Sequence, residues 1–336
     1  MTLGRSTGVS DTGRKRRHNE DSYVVAPPLF AVADGMGGAQ AGEVASGLAA
    51  GALREDHDDQ AGGEERVTAL IQEANRRVYQ RSSEDAAASG MGTTMTVALV
   101  EDGTVAFGHV GDSRAYLIRA GTLEQLTEDH SLVAELVRSG KLSPEEAEVH
   151  PQRSVITRAL GTDPDVDVDT FSIETKPGDV FLLCSDGLTS MIDEQLILDE
   201  VSRHHSDLKA AASSLIAAAN RGGGEDNITV VAFEIVEEGA AVEEEEDLAE
   251  TKRMPAVEDA APAGEEDEDT LDESDRVPAV QTMVVSAADA AKLRGEMEEE
   301  AGPVEKRSRR RLLIVLAMVL VLLAAAGIVV WTLWGR

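Results

Sequence analysis

Sulfur ligands and staples are almost missing from this chain: 336 residues hold one cysteine, Cys184. A lone cysteine excludes a disulfide within the monomer and any thiolate-rich zinc site. Cys184 ends the apolar run V-F-L-L-C, which reads as a small buried side chain rather than a nucleophile. Basic charge is scarce too, with 31 Lys and Arg against 63 Asp and Glu, a formal net of -32. Such a balance repels phosphodiester backbones and argues against nucleic acid as partner or nuclease substrate. It suits cations. No apolar h-region of the secretory kind follows Met1.

The charge is unevenly spread. From Glu237 to Glu305 there are 24 acidic and 5 basic residues, with scattered Ala and Pro. Such a segment lacks the apolar surface to fold alone and reads as a disordered acidic linker. It carries Arg-x-Pro-Ala-Val twice, at 253–257 and 276–280, either docking motifs or chance repetition in a biased sequence. As a coil, the linker reaches about 45 Å. A basic juxtamembrane cluster, K-R-S-R-R-R at 306–311, precedes 23 uncharged residues, Leu312 to Trp334. At about 1.5 Å per residue that run spans a bilayer, and it is expected to be one transmembrane helix. The positive-inside rule then puts the basic cluster and all that precedes it in the cytoplasm, on a single-pass inner-membrane anchor, with Gly335 and Arg336 beyond the membrane.

Residues 1–236 remain as the folded domain. Short β-type runs lie at 23–25, 29–33, 94–100, 105–110, 114–119, 166–173, 180–184 and 228–235. Helical periodicity marks 43–53, 67–78 and 208–219. This pattern predicts an α+β fold with helices covering sheets. Two short helices at 130–140 and 143–149 are expected to form a small helical flap.

Carboxylates sit at matching ends of these strands. Glu20 and Asp21 stand just before one strand, and Asp34 ends the next, with Pro27-Pro28 reversing the chain between them. Asp186 follows V-F-L-L-C-S, and Asp226 with Asn227 precedes I-T-V-V-A-F. If both pairs of strands are antiparallel neighbours, four aspartates converge. Each alone has a plain reading as a turn or strand-end residue. Together, like charges so close require a cation. With no cysteine ligand and no close His pair, hard divalent ions such as Mg²⁺ or Mn²⁺ fit better than zinc. A pair of such ions positions a bridging hydroxide for in-line attack on phosphorus. One arginine of Arg14-Lys15-Arg16-Arg17 is expected to clamp the phosphate.

Seven motifs, in order, resemble the metal-dependent serine/threonine protein phosphatases of type 2C: R-R-H-N-E-D-S at 16–22, A-D-G-M-G-G at 33–38, G-T-T at 92–94, G-H-V-G-D-S-R at 108–114, T-E-D-H-S at 127–131, C-S-D-G-L at 184–188 and E-D-N-I-T-V-V at 225–231. The similarity spans residues 6–236 and is strongest to bacterial members that oppose transmembrane Ser/Thr kinases. It implies an αββα sandwich in which Asp21, Asp34, the Gly35 carbonyl, Asp186 and Asp226 hold two ions, directly or through water, with Glu20 behind them. It implies Arg16 as the phosphate clamp, and Asp129 with Asp186 as holders of a third ion. Asp129 has a rival reading as a helix N-cap, and Asp112, in G-D-S-R, reads as structural near the site, as does Asn227.

The chain departs from many eukaryotic members at Met36, where they carry histidine, so a water or a residue such as His18 must protonate the leaving oxygen. The expected substrates are phosphoserine and phosphothreonine on proteins, including a membrane kinase and its targets, with the catalytic domain a monomer. Rival readings are an inactive membrane scaffold that binds phosphoproteins and a phosphatase of the anti-sigma-factor antagonist pathway.

Overall fold

The structure, a computed structural model, describes residues 1–37, 41–55, 62–85, 88–237 and 283–284. Apart from Glu237 and residues 283–284, the expected linker lies outside the described residues, as do the basic cluster 306–311 and the expected span 312–334. Among the described residues no helix is long and apolar enough to cross a membrane.

The chain opens with three strands, β1 (Thr2–Asp11), β2 (Asp21–Ala26) and β3 (Leu29–Met36), followed by two helices, α1 (Ala41–Arg54) and α2 (Gly63–Glu84). Five strands come next: β4 (Gly92–Thr93), β5 (Met95–Glu101), β6 (Thr104–Val110), β7 (Arg114–Arg119) and β8 (Thr122–Gln125). The flap consists of α3 (Leu132–Arg138), α4 (Pro144–Glu148) and β9 (Val155–Ile156). Then follow β10 (Asp169–Glu174), β11 (Val180–Cys184), α5 (Asp186–Thr189), α6 (Glu194–Arg203), α7 (Leu208–Gly222) and β12 (Ile228–Val236), with β13 (Met283–Val284) after a long interval.

Two antiparallel sheets carry the domain. One runs β1-β12-β11-β7-β8, the other β10-β6-β5-β3-β2 with β4 attached to β3. Three apolar layers separate them and their helices. Val67, Leu70, Ile71, Ala74 and Val78 of α2 pack with α1 onto Val97, Leu99 and Ala106. On the far side, Leu215 and Ile216 of α7 and Ile197 of α6 cover Leu182, Val230 and Ala232. Between the sheets lie Phe30, Val32, Phe107, Leu117, Phe181, Leu183 and Phe233. The expected αββα order of layers is therefore present.

The sequence has five Phe, and all of them meet in the inter-sheet layer. Phe30 stacks on Phe233 at 4.3 Å, Phe233 on Phe181 at 5.1 Å and Phe107 on Phe171 at 5.1 Å. Offset ring pairs of this kind add about 0.5–1.5 kcal/mol each beyond burial. A chain poor in aromatics has placed its Phe residues where two sheets must interdigitate.

The flap helices form where the sequence predicts them. Ser143 and Glu146 make a reciprocal capping box at α4, and Ser131 caps α3 by accepting from the Ala134 N–H at 3.3 Å. Asp129 therefore does not serve as the N-cap. The flap has a small core of its own, Leu132, Leu136 and Val155, with Leu142 against it. It touches the main body through Ile156, which packs with Met36 and Ala159.

Candidate metal centre

The strand pairings bring the predicted carboxylates together. β2 and β3 are antiparallel with Asp21 directly opposite Asp34. β11 and β12 are antiparallel with Cys184 opposite Val230, so Asp186 and Asp226 flank the same end of that pair. A hydroxyl bridge joins the two sheets there: Ser185 Oγ and Thr229 Oγ1 both donate to Asp21 Oδ2, at 2.8 and 2.6 Å. Asn227 stitches the approach, accepting the Glu20 N–H at 2.8 Å and donating to the carbonyls of Thr12 and His18 at 2.9 Å.

Gly35 is required by close backbone approach. A Cβ there would collide with the Gly42 and Glu20 carbonyl oxygens. Its N–H donates to the Glu20 carbonyl at 3.1 Å, and Thr94 brackets Asp34, its N–H bonding the Asp34 carbonyl at 2.9 Å and its hydroxyl accepting the Asp34 N–H at 3.0 Å. The Glu20 carboxyl sits behind this turn, where burial raises its pKa despite the opposing Arg16 charge.

Electrostatics define the centre. Burial pushes Asp21 up to about 7, against the pull of the Thr229 and Ser185 hydroxyls. Burial and the charges of Asp21, Asp186 and Asp226 hold Asp34 well above the usual carboxylate range. Asp186 rises to about 6, from burial and Asp226, and its carboxyl contacts that of Asp34. Two ionised carboxylates avoid such contact unless a proton or a cation lies between them. One buried oxygen each of Asp21, Asp186 and Asp112 has no hydrogen-bond partner.

Among the described residues no three His, Cys, Asp or Glu side chains stand together as a group that could hold a metal ion as they are placed. What these residues share is convergence, burial and uncompensated negative charge. An all-oxygen set with orphaned carboxylate atoms fits hard divalent cations.

Asp129, which the resemblance implied with Asp186 for a further ion, and Asp112, read as structural, differ in what they touch. Asp129 is engaged: Arg114 grips it through Nε at 2.9 Å and Nη2 at 2.7 Å, and Gln125 adds a bond at 3.2 Å. Asp112, read as structural, is the buried carboxylate with the orphaned oxygen, and burial with the nearby Asp186 charge pushes its pKa well up. Its neighbours hold the loop rigid. Ser113 Oγ bonds Thr94 Oγ1 at 2.8 Å, and the Gly111 N–H donates to His130 Nδ1 at 3.0 Å. His130 Nε2 in turn meets Asp169 at 3.1 Å, and Arg158 of the flap clamps Asp169 at 2.5 Å.

Arg16 reaches the centre. Its Nη2 bonds Asp226 at 2.7 Å and its Nη1 lies 4.0 Å from Glu20, while its buried Nε has no partner. Burial lowers its pKa, but Asp226 more than offsets this and holds the guanidinium charged. Arg14, Lys15, Arg17 and His18 are exposed. Met36 is buried under the flap, and Cys184 is buried with its thiol pushed up to about 12 by desolvation, which removes it as a nucleophile.

Sequence reasoning missed Ser185, Thr229 and the His130–Asp169–Arg158 chain. Ser185 stood inside a quoted motif, but its aim at Asp21 depends on how the two sheets face each other.

Two sheets flanked by helices bring buried carboxylates and an arginine to one end, a set suited to holding cations beside a phosphate. The model of the protein phosphatase 2C family matches residues 14–224, and the chain belongs to that family of serine/threonine phosphatases. It is 44% identical over 196 residues to the serine/threonine phosphatase stp of Listeria welshimeri, covering 55% of this chain and 78% of that one. It is 43% identical over 192 residues to the serine/threonine protein phosphatase PstP of Mycobacterium tuberculosis, covering 56% of this chain and 37% of that one. The crystal structure of the Mycobacterium tuberculosis phosphatase PstP/Ppp superposes with a TM-score of 0.67 at 39% identity, over 70% of this chain and all of that one (100%). A catalytic domain of PstP in complex with two manganese ions superposes at 0.64 with 38% identity, over 70% of this chain and 99% of that one.

Proposed function

We propose that this protein removes phosphate from phosphoserine and phosphothreonine of other proteins, using a centre of two Mn²⁺ or Mg²⁺ ions held by Asp21, Asp34, the Gly35 carbonyl, Asp186 and Asp226. The observation that carries the reading is the register of Asp21 opposite Asp34 beside Asp186 and Asp226. When bound, the ions supply charge neutralisation and an activated water. The protein's own groups do the rest. Arg16 is the phosphate clamp: substrate oxygens compete with Asp226 for its fork. Ser185 and Thr229 aim Asp21, and Asn227 and Thr94 fix the turns that present Glu20 and Asp34.

A third ion, where one binds, is assigned to Asp112 with Asp186. The orphaned oxygen of Asp112 supports this, and the Arg114 grip on Asp129 opposes the alternative.

Residues 312–334 anchor the protein in the inner membrane with residues 1–236 in the cytoplasm, on the strength of the uncharged run and the basic cluster before it. Tethering raises the local concentration of the enzyme near membrane Ser/Thr kinases and their phosphorylated segments, which are the proposed partners.

The test is phosphate release from a phosphothreonine peptide by the full chain with millimolar Mn²⁺, with chelator, and in Asp34→Ala. Release that needs the metal and vanishes in the variant is expected. Release that survives both overturns the reading.

A further inference from the structure

Strand β9 is two residues long and paired on both edges. On one edge Ile156 bridges Ser131, and the Thr157 N–H donates to the His130 carbonyl at 2.9 Å. That edge is fastened to the segment 129–131 beside the centre. On the other edge β13 runs parallel, with Met283 opposite Val155 and Val284 opposite Ile156. This second partner comes from the acidic segment that follows the folded domain.

The sequence around β13 is unlike the rest of that segment. Residues 277–288, V-P-A-V-Q-T-M-V-V-S-A-A, carry no charge, inside a stretch that holds 24 acidic residues. The core of the run, Val280 to Val285, is rich in β-branched residues and has no Gly or Pro, the composition of a strand. It directly follows the second Arg-x-Pro-Ala-Val copy. The first copy runs instead into Glu258 and Asp259.

We propose that the edge of β9 on which β13 lies is a peptide-binding edge and that the run centred on Met283–Val284 is its ligand in cis, added as a strand. The ligand class is an extended, uncharged, β-branched peptide, held by main-chain hydrogen bonds. Charge does not hold it, since the segment and the domain it joins are both acidic. A short parallel pair is weak by itself. The tether supplies an effective concentration on the order of millimolar, enough to keep a weak strand docked and still exchangeable.

Docking reaches the centre by direct packing. Ile156 packs on Met36, which pairs with Gly92 in register and stands two residues from Asp34. Val155 packs on Leu132 and Leu136 of α3. An added strand thus stiffens the flap at an apolar contact with the metal-binding turn. None of this requires the phosphatase reading to hold.

The test is amide hydrogen exchange at Ile156 of the full chain in detergent, since the Val155 and Thr157 N–H groups are already bonded to the Gln152 and His130 carbonyls, comparing the parent with Val284→Pro and with Val257→Pro as the matched control in the first repeat. Val284→Pro is expected to speed exchange there at least about fivefold, the effect of losing one hydrogen bond's worth of protection. Val257→Pro is expected to leave it unchanged. A synthetic peptide of residues 278–288 is expected to restore protection to Val284→Pro. Equal exchange in all three chains, equal acceleration by both prolines, or no rescue by the peptide each overturns the proposal.

Discussion

Thr229 Oγ1 donates to Asp21 Oδ2 at 2.6 Å, and with Ser185 at 2.8 Å it ties the first residue of β2 to the opposite sheet. The bonds leave the other Asp21 oxygen free and buried, so they orient the carboxylate as well as join the sheets. Replacing Thr229 with Val keeps the shape and removes the donor. Mn²⁺ affinity is predicted to fall about 10- to 100-fold, the usual cost of losing a ligand's support, with little change in Tm. Calorimetry beside thermal unfolding checks both.

Much of this arrangement was legible in the sequence. The strands that hold Asp21 and Asp34, or stop within two residues of Asp186 and Asp226, are apolar runs with turn residues at their ends, so both strand and site could be read together. β1 was not, because T-L-G-R-S-T-G-V-S-D is half polar with two glycines, and the strand draws its stability from pairing with β12. β8 alternates exposed and partly buried residues, and its four residues are too few to mark it. Helix α6 went unread although Asp193 caps it. The proposed assignment of a third ion to Asp112 rather than Asp129 rests on contacts the sequence does not show, since both lie in polar turns. Only the three-dimensional position of Arg114 tells which carboxylate is neutralised and which is left facing Asp186.

That difference separates two variants. Asp129→Asn leaves the half-buried Arg114 without its charge partner and is predicted to cost about 3 kcal/mol, roughly 6–12 °C in Tm. Asp112→Asn removes a repelling carboxylate and is predicted to leave the metal-free protein equally or more stable while weakening cation binding. Thermal unfolding with and without Mn²⁺ distinguishes them.

Raised carboxyl pKa values set a pH dependence. Asp21 and Asp186 titrate near 7 and 6 in the folded, metal-free protein, above the unfolded value of about 3.9. Between these limits the folded state binds more protons than the unfolded one, so stability falls as pH rises. The Tm in chelator is predicted to drop from about pH 4 to about pH 7 and then level off. Mn²⁺ is predicted to flatten that slope, because it replaces the protons.

Arg16→Lys keeps the charge beside Asp226 but loses the planar fork. A drop in kcat/KM of about tenfold or more is predicted, with Mn²⁺ binding nearly unchanged. Steady-state kinetics on a phosphopeptide at saturating metal give the number.

The central claim is that Asp21, Asp34, Asp186 and Asp226 form a cation site, and calorimetric titration of Mn²⁺ into the full chain tests it most directly. At least two ions are predicted to bind the parent, with affinity lowered about tenfold or more in Asp34→Asn and Asp186→Asn. Undiminished binding in both variants, or no binding by the folded parent, contradicts the account.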